Sequence, residues 1–141
     1  MIPAVPLARF YRLSPQRRRM LVKAAAALTA ASAALAMLPF RRAIRFGSVP
    51  LQRASPVDPF DCVWAVEACA RRMPWRTLCI EKGLAVQRML RRGGVDAVLH
   101  YGARRSVKTG ELEAHVWVSV SGEIVIGGEE ALGMPELARF P

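Results

Sequence analysis

No aspartate or glutamate occurs in the first 55 residues of this 141-residue chain. That stretch carries Arg9, Arg12, Arg17, Arg18, Arg19, Lys23, Arg41, Arg42, Arg45 and Arg53, and so accounts for the net charge of +10. From Pro56 onward the other eleven of the 21 basic residues meet all eleven acidic ones, and this part is neutral. A nucleic-acid-binding domain mixes its positive charge with recognition residues. Here the charge flanks an alanine-rich segment, which points to an acidic partner surface or anionic lipid and away from nucleic acid. Cysteine is scarce too. Cys62, Cys69 and Cys79 are an odd number without a framework, which argues against disulfide stapling and for a reducing compartment. There is no Cys-x-x-Cys pair and no His-x-x-x-His spacing, so neither a metal site nor a cofactor is expected.

What is present is enough apolar residue for one modest core. The hydrophobic content of 52% excludes a disordered chain. Residues 1–13, with Pro3 and Pro6, read as an extended lead-in. Ser14-Pro15 is a helix start, a hydroxyl able to cap followed by a proline at the first helical position. The helix should run over residues 14–38 and stop before Pro39. Leu21, Leu28 and Leu35 draw one apolar stripe along it. A transmembrane span calls for about 20 strongly apolar residues, and a secretory signal for a short basic leader. A docking helix, laying its leucine stripe on the domain or on a partner, fits better. The basic ends, Arg17-Arg18-Arg19 and Arg41-Arg42, also suit contact with a membrane surface.

Residues 39–56 read as a linker, and residues 57–141 as the main domain. In that domain Pro59 to Met73 and Cys79 to Arg92 have helical periodicity, the second closed by Gly93-Gly94. Val95 to Ala103 and Glu111 to Val120 read as strands. Ser121-Gly122 is a two-residue turn, and Glu123 to Gly127 is the returning strand. The tail from Gly128 holds Pro135 and a short helix. Helices followed by an antiparallel sheet make the fold class α+β.

Two residues carry the chemistry. Cys79 opens a helix, where unpaired N–H groups and the helix dipole favour a thiolate. Thr77 is placed to cap that turn. His115 lies mid-strand in Ala114-His115-Val116-Trp117-Val118, able to complete an ion pair and shuttle a proton. Cys62 and Cys69 read as small core residues. His100 lacks the flanking pattern of His115.

These segments resemble the transglutaminase-like and papain-like Cys–His hydrolases. More narrowly, several runs resemble the split-form B proteins of lasso-peptide biosynthesis. These are Thr77-Leu78-Cys79-Ile80, Gly83-Leu84-Ala85, Met89 through Ala97, Gly102, and Ala114 through Val118. The resemblance implies a cysteine peptidase with a transglutaminase/papain-like core that removes the leader of a ribosomally made precursor. It implies Cys79 as nucleophile, His115 as base, and the Cys79 backbone N–H as oxyanion donor. Its implied partners are a leader-recognition protein, the precursor peptide and a downstream macrolactam-forming cyclase. The expected setting is the cytoplasm, with the inner membrane face as a surface the basic helix could contact. The family often has an aspartate on the strand after the histidine strand. Counting across the Ser121-Gly122 turn puts Gly127 and Gly128 there, leaving Glu129 and Glu130 as candidate third members, with a main-chain carbonyl or a water as the alternative. A transamidase would use the same Cys–His pair, and a non-catalytic scaffold or membrane-associated protein would bury Cys79 as a core thiol.

Overall fold

The computed structural model describes residues 7–52 and 56–141. Its elements are helices α1 (Leu7–Tyr11), α2 (Pro15–Met37), α3 (Phe40–Ala43), α4 (Pro59–Ala70) and α5 (Cys79–Arg92), then strands β1 (Ala97–Arg105), β2 (Leu112–Val120) and β3 (Glu123–Ile126), helix α6 (Gly128–Ala131) and strand β4 (Glu136–Phe140). Helices α2, α4 and α5 pack together, α5 lies on β1 and β2, and α6 touches β2. The four strands form one antiparallel sheet in the order β3-β2-β1-β4. The fold is thus α+β, with the apolar helix at its N-terminal end.

Local chemistry explains the helix boundaries. The Ser14 hydroxyl accepts from the Arg17 N–H at 3.3 Å, and Asp58 caps α4 by accepting from the Phe60 N–H at 2.9 Å. Both helices carry proline in the first turn, where no N–H is missed. The Ser121-Gly122 turn has positive φ at both residues, 51° and 82°, as a tight hairpin requires.

Helix α2 is long and apolar enough, by length and composition, to cross a membrane. In the folded chain its Ala24, Ala27, Leu28, Ala31 and Ala34 are buried, while Leu21 and Leu35 are only partly covered. The alanines, more than the leucine stripe, make the interface, because small side chains let helices approach closely. Leu28 is fully buried in the same cluster as Val66 of α4 and Leu84 of α5. Truncating such a leucine costs about 2–5 kcal/mol.

Three expectations are corrected. Part of the lead-in is helical, since beyond Pro6 nothing in Leu7–Tyr11 opposes a helical turn; residues 1–6 lie outside the described residues. The expected linker is packed rather than loose, as Ala43 and Ile44 are buried. There the Arg88 guanidinium donates to the Phe46 carbonyl at 2.8 Å, and Arg91 to that of Val49 at 2.6 Å. The tail adds a fourth strand. Its Phe140 carbonyl accepts from the buried Gln87 amide at 2.7 Å, and its Glu136 pairs with His100 on β1.

Candidate active site

Cys79 is the first residue of α5 and is partly buried. The helix comes close to the sheet because residue 83 is glycine. A Cβ there would stand 3.0 Å from the Val116 side chain and 3.2 Å from that of Leu99. Thr77 does not cap this helix. The N-cap is Leu78, whose side chain has no acceptor, so Thr77 is one residue too early. The Leu78 N–H is met instead by Glu81, at 3.5 Å.

A cleft of about 440 Å³ opens at this helix start. Glu67, Arg76, Thr77, Leu78, Cys79 and Lys82 line one wall, and His115, Val116 and residues 126–130 line the other. Cys79 and His115, 36 residues apart in the chain, therefore share one cavity. Lys82 is paired with Glu67 at 3.2 Å. A larger concavity of about 820 Å³ lies between α1, α2 and α4, but neither histidine lines it and its one thiol is Cys69.

His115 is 8% exposed. Its Nε2 lies 3.1 Å from the Gly127 carbonyl oxygen and 3.6 Å from a carboxylate oxygen of Glu130. A carbonyl only accepts, so Nε2 carries the hydrogen; in the neutral ring Nδ1 then keeps its lone pair. Among the described residues Nδ1 has no hydrogen-bond partner, the Cys79 thiol included. Trp117 forms a shelf beside the ring, 6.4 Å between centroids and 20° between planes.

The closest polar group to the His115 ring is a main-chain carbonyl. A bulge between Val118 and Ser119 shifts the β2–β3 register, yet Gly127, one of the two glycines reached by counting across the turn, is the residue that meets His115. Gly127, at φ 81°, turns its carbonyl onto the imidazole. Glu129 and Glu130 both line the cleft, but of the two only Glu130 makes an ion pair with His115, and that side chain is 63% exposed. Its attraction for an imidazolium is screened by solvent. Glu129→Gln and Glu130→Gln should each reduce turnover by less than ~10-fold, since the neutral orienting contact survives. A loss as deep as that from removing Cys79 would show that Glu130 swings in as an indispensable partner.

His100 does not line the cleft. Its ring stacks on Trp117 at 5.6 Å and 6°, Nδ1 meets Glu136, and Nε2 lies 2.6 Å from the Ser119 hydroxyl. Ser119, His100 and Glu136 thus stand in hydrogen-bonding order. Ser119 is buried and borders neither cavity, so the three tie β4 to the sheet. Hydrogen bonds from His100 and Arg139 hold the Glu136 carboxyl below the usual carboxylate range.

Burial pushes the Cys62 thiol up to about 12, and raises that of Cys69 as well. At pH 7 the Cys62 thiol is ionised in roughly one molecule in 10⁵. Iodoacetamide at pH 6–7 is therefore expected to modify Cys79 well before Cys62 or Cys69, as read by peptide mapping. Equal labelling of the three would remove the activated thiol from the argument.

The family model described as the transglutaminase-like superfamily matches residues 2–134. The chain belongs to that superfamily. The match takes in α2 as well as the helix of Cys79 and the strand of His115. No curated protein and no solved structure matches the chain. Superfamily membership makes a cysteine-dependent enzyme the natural setting for a thiol and an imidazole in one cleft. Among the described residues no three His, Cys, Asp or Glu side chains are grouped to hold a metal ion.

Glu81 and Ser32, neither of them singled out in the sequence, meet Trp75 behind the helix start. Glu81 had a signal, as an acidic residue at the third helical position. The usual Ser or Thr at the cap is absent, which hides the motif. Trp75 uses its indole N–H on Ser32 and Glu81 and does not line the cleft.

Proposed function

We propose that the protein is a cysteine peptidase that cleaves the leader from a ribosomally synthesised lasso-peptide precursor presented by a separate leader-binding protein. The observation that carries this is the shared cleft of Cys79 and His115, in a chain of the transglutaminase-like superfamily. The lasso-peptide assignment rests on the sequence resemblance.

In this mechanism His115 Nδ1 takes the thiol proton and Sγ attacks the scissile carbonyl carbon. The oxyanion forms beside the Cys79 N–H, one of the donors a helix start leaves without an intrahelical acceptor. Such a donor contributes about 3 kcal/mol to the transition state. The imidazolium then protonates the leaving amine as the C–N bond breaks, leaving a thioester. Water, deprotonated by the same imidazole, attacks the thioester, and the new carboxyl is released with the thiol restored. Aminolysis of that thioester by a second peptide would be transamidation.

The cleft is small and offers little surface to grip a long peptide. A partner that holds the leader raises the local concentration of the scissile bond to the millimolar range. The basic segment before Pro56 suits an acidic partner or the anionic inner membrane face, which sets the reaction in the cytoplasm. The released core peptide would pass to a macrolactam-forming cyclase. The test is incubation of precursor with this protein, with and without the leader-binding partner, followed by mass spectrometry. Two fragments whose masses sum to precursor plus water support hydrolysis. An intact precursor with the partner present refutes it.

A further inference from the structure

Glu81 is charged yet only 8% exposed, and carboxylates are seldom buried so far unless they are held. It lies on α5 two residues after Cys79. One carboxylate oxygen accepts from the Ser32 hydroxyl of α2 and, at 3.3 Å, from the Trp75 indole N–H. The other faces the Leu78 N–H at 3.5 Å. The indole nitrogen also stands 3.0 Å from the Ser32 oxygen. Three separate segments, α2, the approach to α5 and its first turn, therefore meet at one side chain.

We propose that Glu81 is a positioning residue for the Cys79 chemistry, a latch that with Ser32 and Trp75 sets the turn at residues 75–79. The inference rests on the peptidase reading and adds a residue to it. None of the three side chains lines the cleft, so none meets substrate. Leu78 cannot cap its own helix, so the path of the chain into Cys79 depends on what Glu81 and Trp75 grip. That path aims both the thiol and the backbone N–H that receives the oxyanion, and an error near 1 Å in such geometry can cost about 100-fold in rate. Because Ser32 belongs to α2, it also ties the N-terminal helix to the reactive turn.

The test uses the full chain and two readouts: the pH profile of Cys79 alkylation by iodoacetamide, which needs no peptide, and kcat and KM for leader cleavage. Trp75→Phe and Ser32→Ala, each removing one donor, should slow alkylation at pH 6.5 by about 3- to 10-fold. Glu81→Ala should lower kcat about 30-fold with KM within about threefold. Glu81→Gln keeps an amide oxygen for both donors. It should recover at least a third of kcat, as rescue by the conservative variant. If Glu81→Ala fails to fold, Trp75→Phe and Glu81→Gln carry the test. An unmoved alkylation profile in Trp75→Phe and Ser32→Ala, with cleavage intact, overturns the latch and leaves the peptidase standing. A profile that moves in a protein that cleaves no precursor supports the latch and refutes the peptidase.

Discussion

Cys79→Ala should reduce leader cleavage by at least ~10⁴-fold and shift the melting temperature by no more than about 3 °C. The rate follows from removing the only atom that forms the covalent intermediate, which leaves at most the binding and oxyanion contributions. The small stability effect follows from position. Cys79 is partly exposed at the rim of the core, and losing one sulfur there removes about a methylene's worth of burial, ~0.8 kcal/mol or less. His115→Ala should lose as much rate but more stability. It removes the partner of the Gly127 carbonyl and the ring stacked on Trp117. Mass spectrometry of the precursor and thermal melts by circular dichroism measure both. More than about 1% residual cleavage by either variant would rule out the Cys–His mechanism.

Gly127→Ala should cost about 2–4 kcal/mol of stability and at least ~100-fold in turnover. Two effects add. At φ 81° any side chain is strained, by about 1–2 kcal/mol. The new Cβ would also stand 2.7 Å from the Val116 carbonyl oxygen and 3.1 Å from His115 Nε2, so the strand or the imidazole must move. Gly133→Ala is the matched control. Its φ is 74°, but nothing lies within 4 Å of the added Cβ. It should show the backbone cost alone, with cleavage unchanged. If Gly127→Ala behaves like Gly133→Ala, the carbonyl of residue 127 does not orient His115.

Much of the architecture is legible in short stretches of the chain. Ser14-Pro15 and Asp58-Pro59 announce their helices because a cap and a first-turn proline act within three residues. The bounds Cys79–Arg92 follow from apolar periodicity, and Ser121-Gly122 declares its hairpin because both residues tolerate positive φ. Cys79 and His115 stand out for the same reason, each in a local setting that suits its chemistry, and both line one cleft.

Other features have no local signal, because the partner atoms lie far along the chain. Strand β4 is five residues after a proline, with little alternation of its own. It forms because the Gln87 amide and the His100 ring, 53 and 36 residues away, satisfy its polar groups. Periodicity shows that α2 has an apolar face. That the alanines bury against α4 and α5 depends on the shapes those helices present. Counting reaches Gly127 but does not choose its carbonyl over the nearby carboxylates, and the grip on Cys79's turn depends on Ser32, 49 residues before Glu81. Caps, turns and periodicity arise from forces between near neighbours, so the chain displays them one segment at a time. Buried polar partners are chosen once the apolar faces have met, and that choice belongs to the packed molecule.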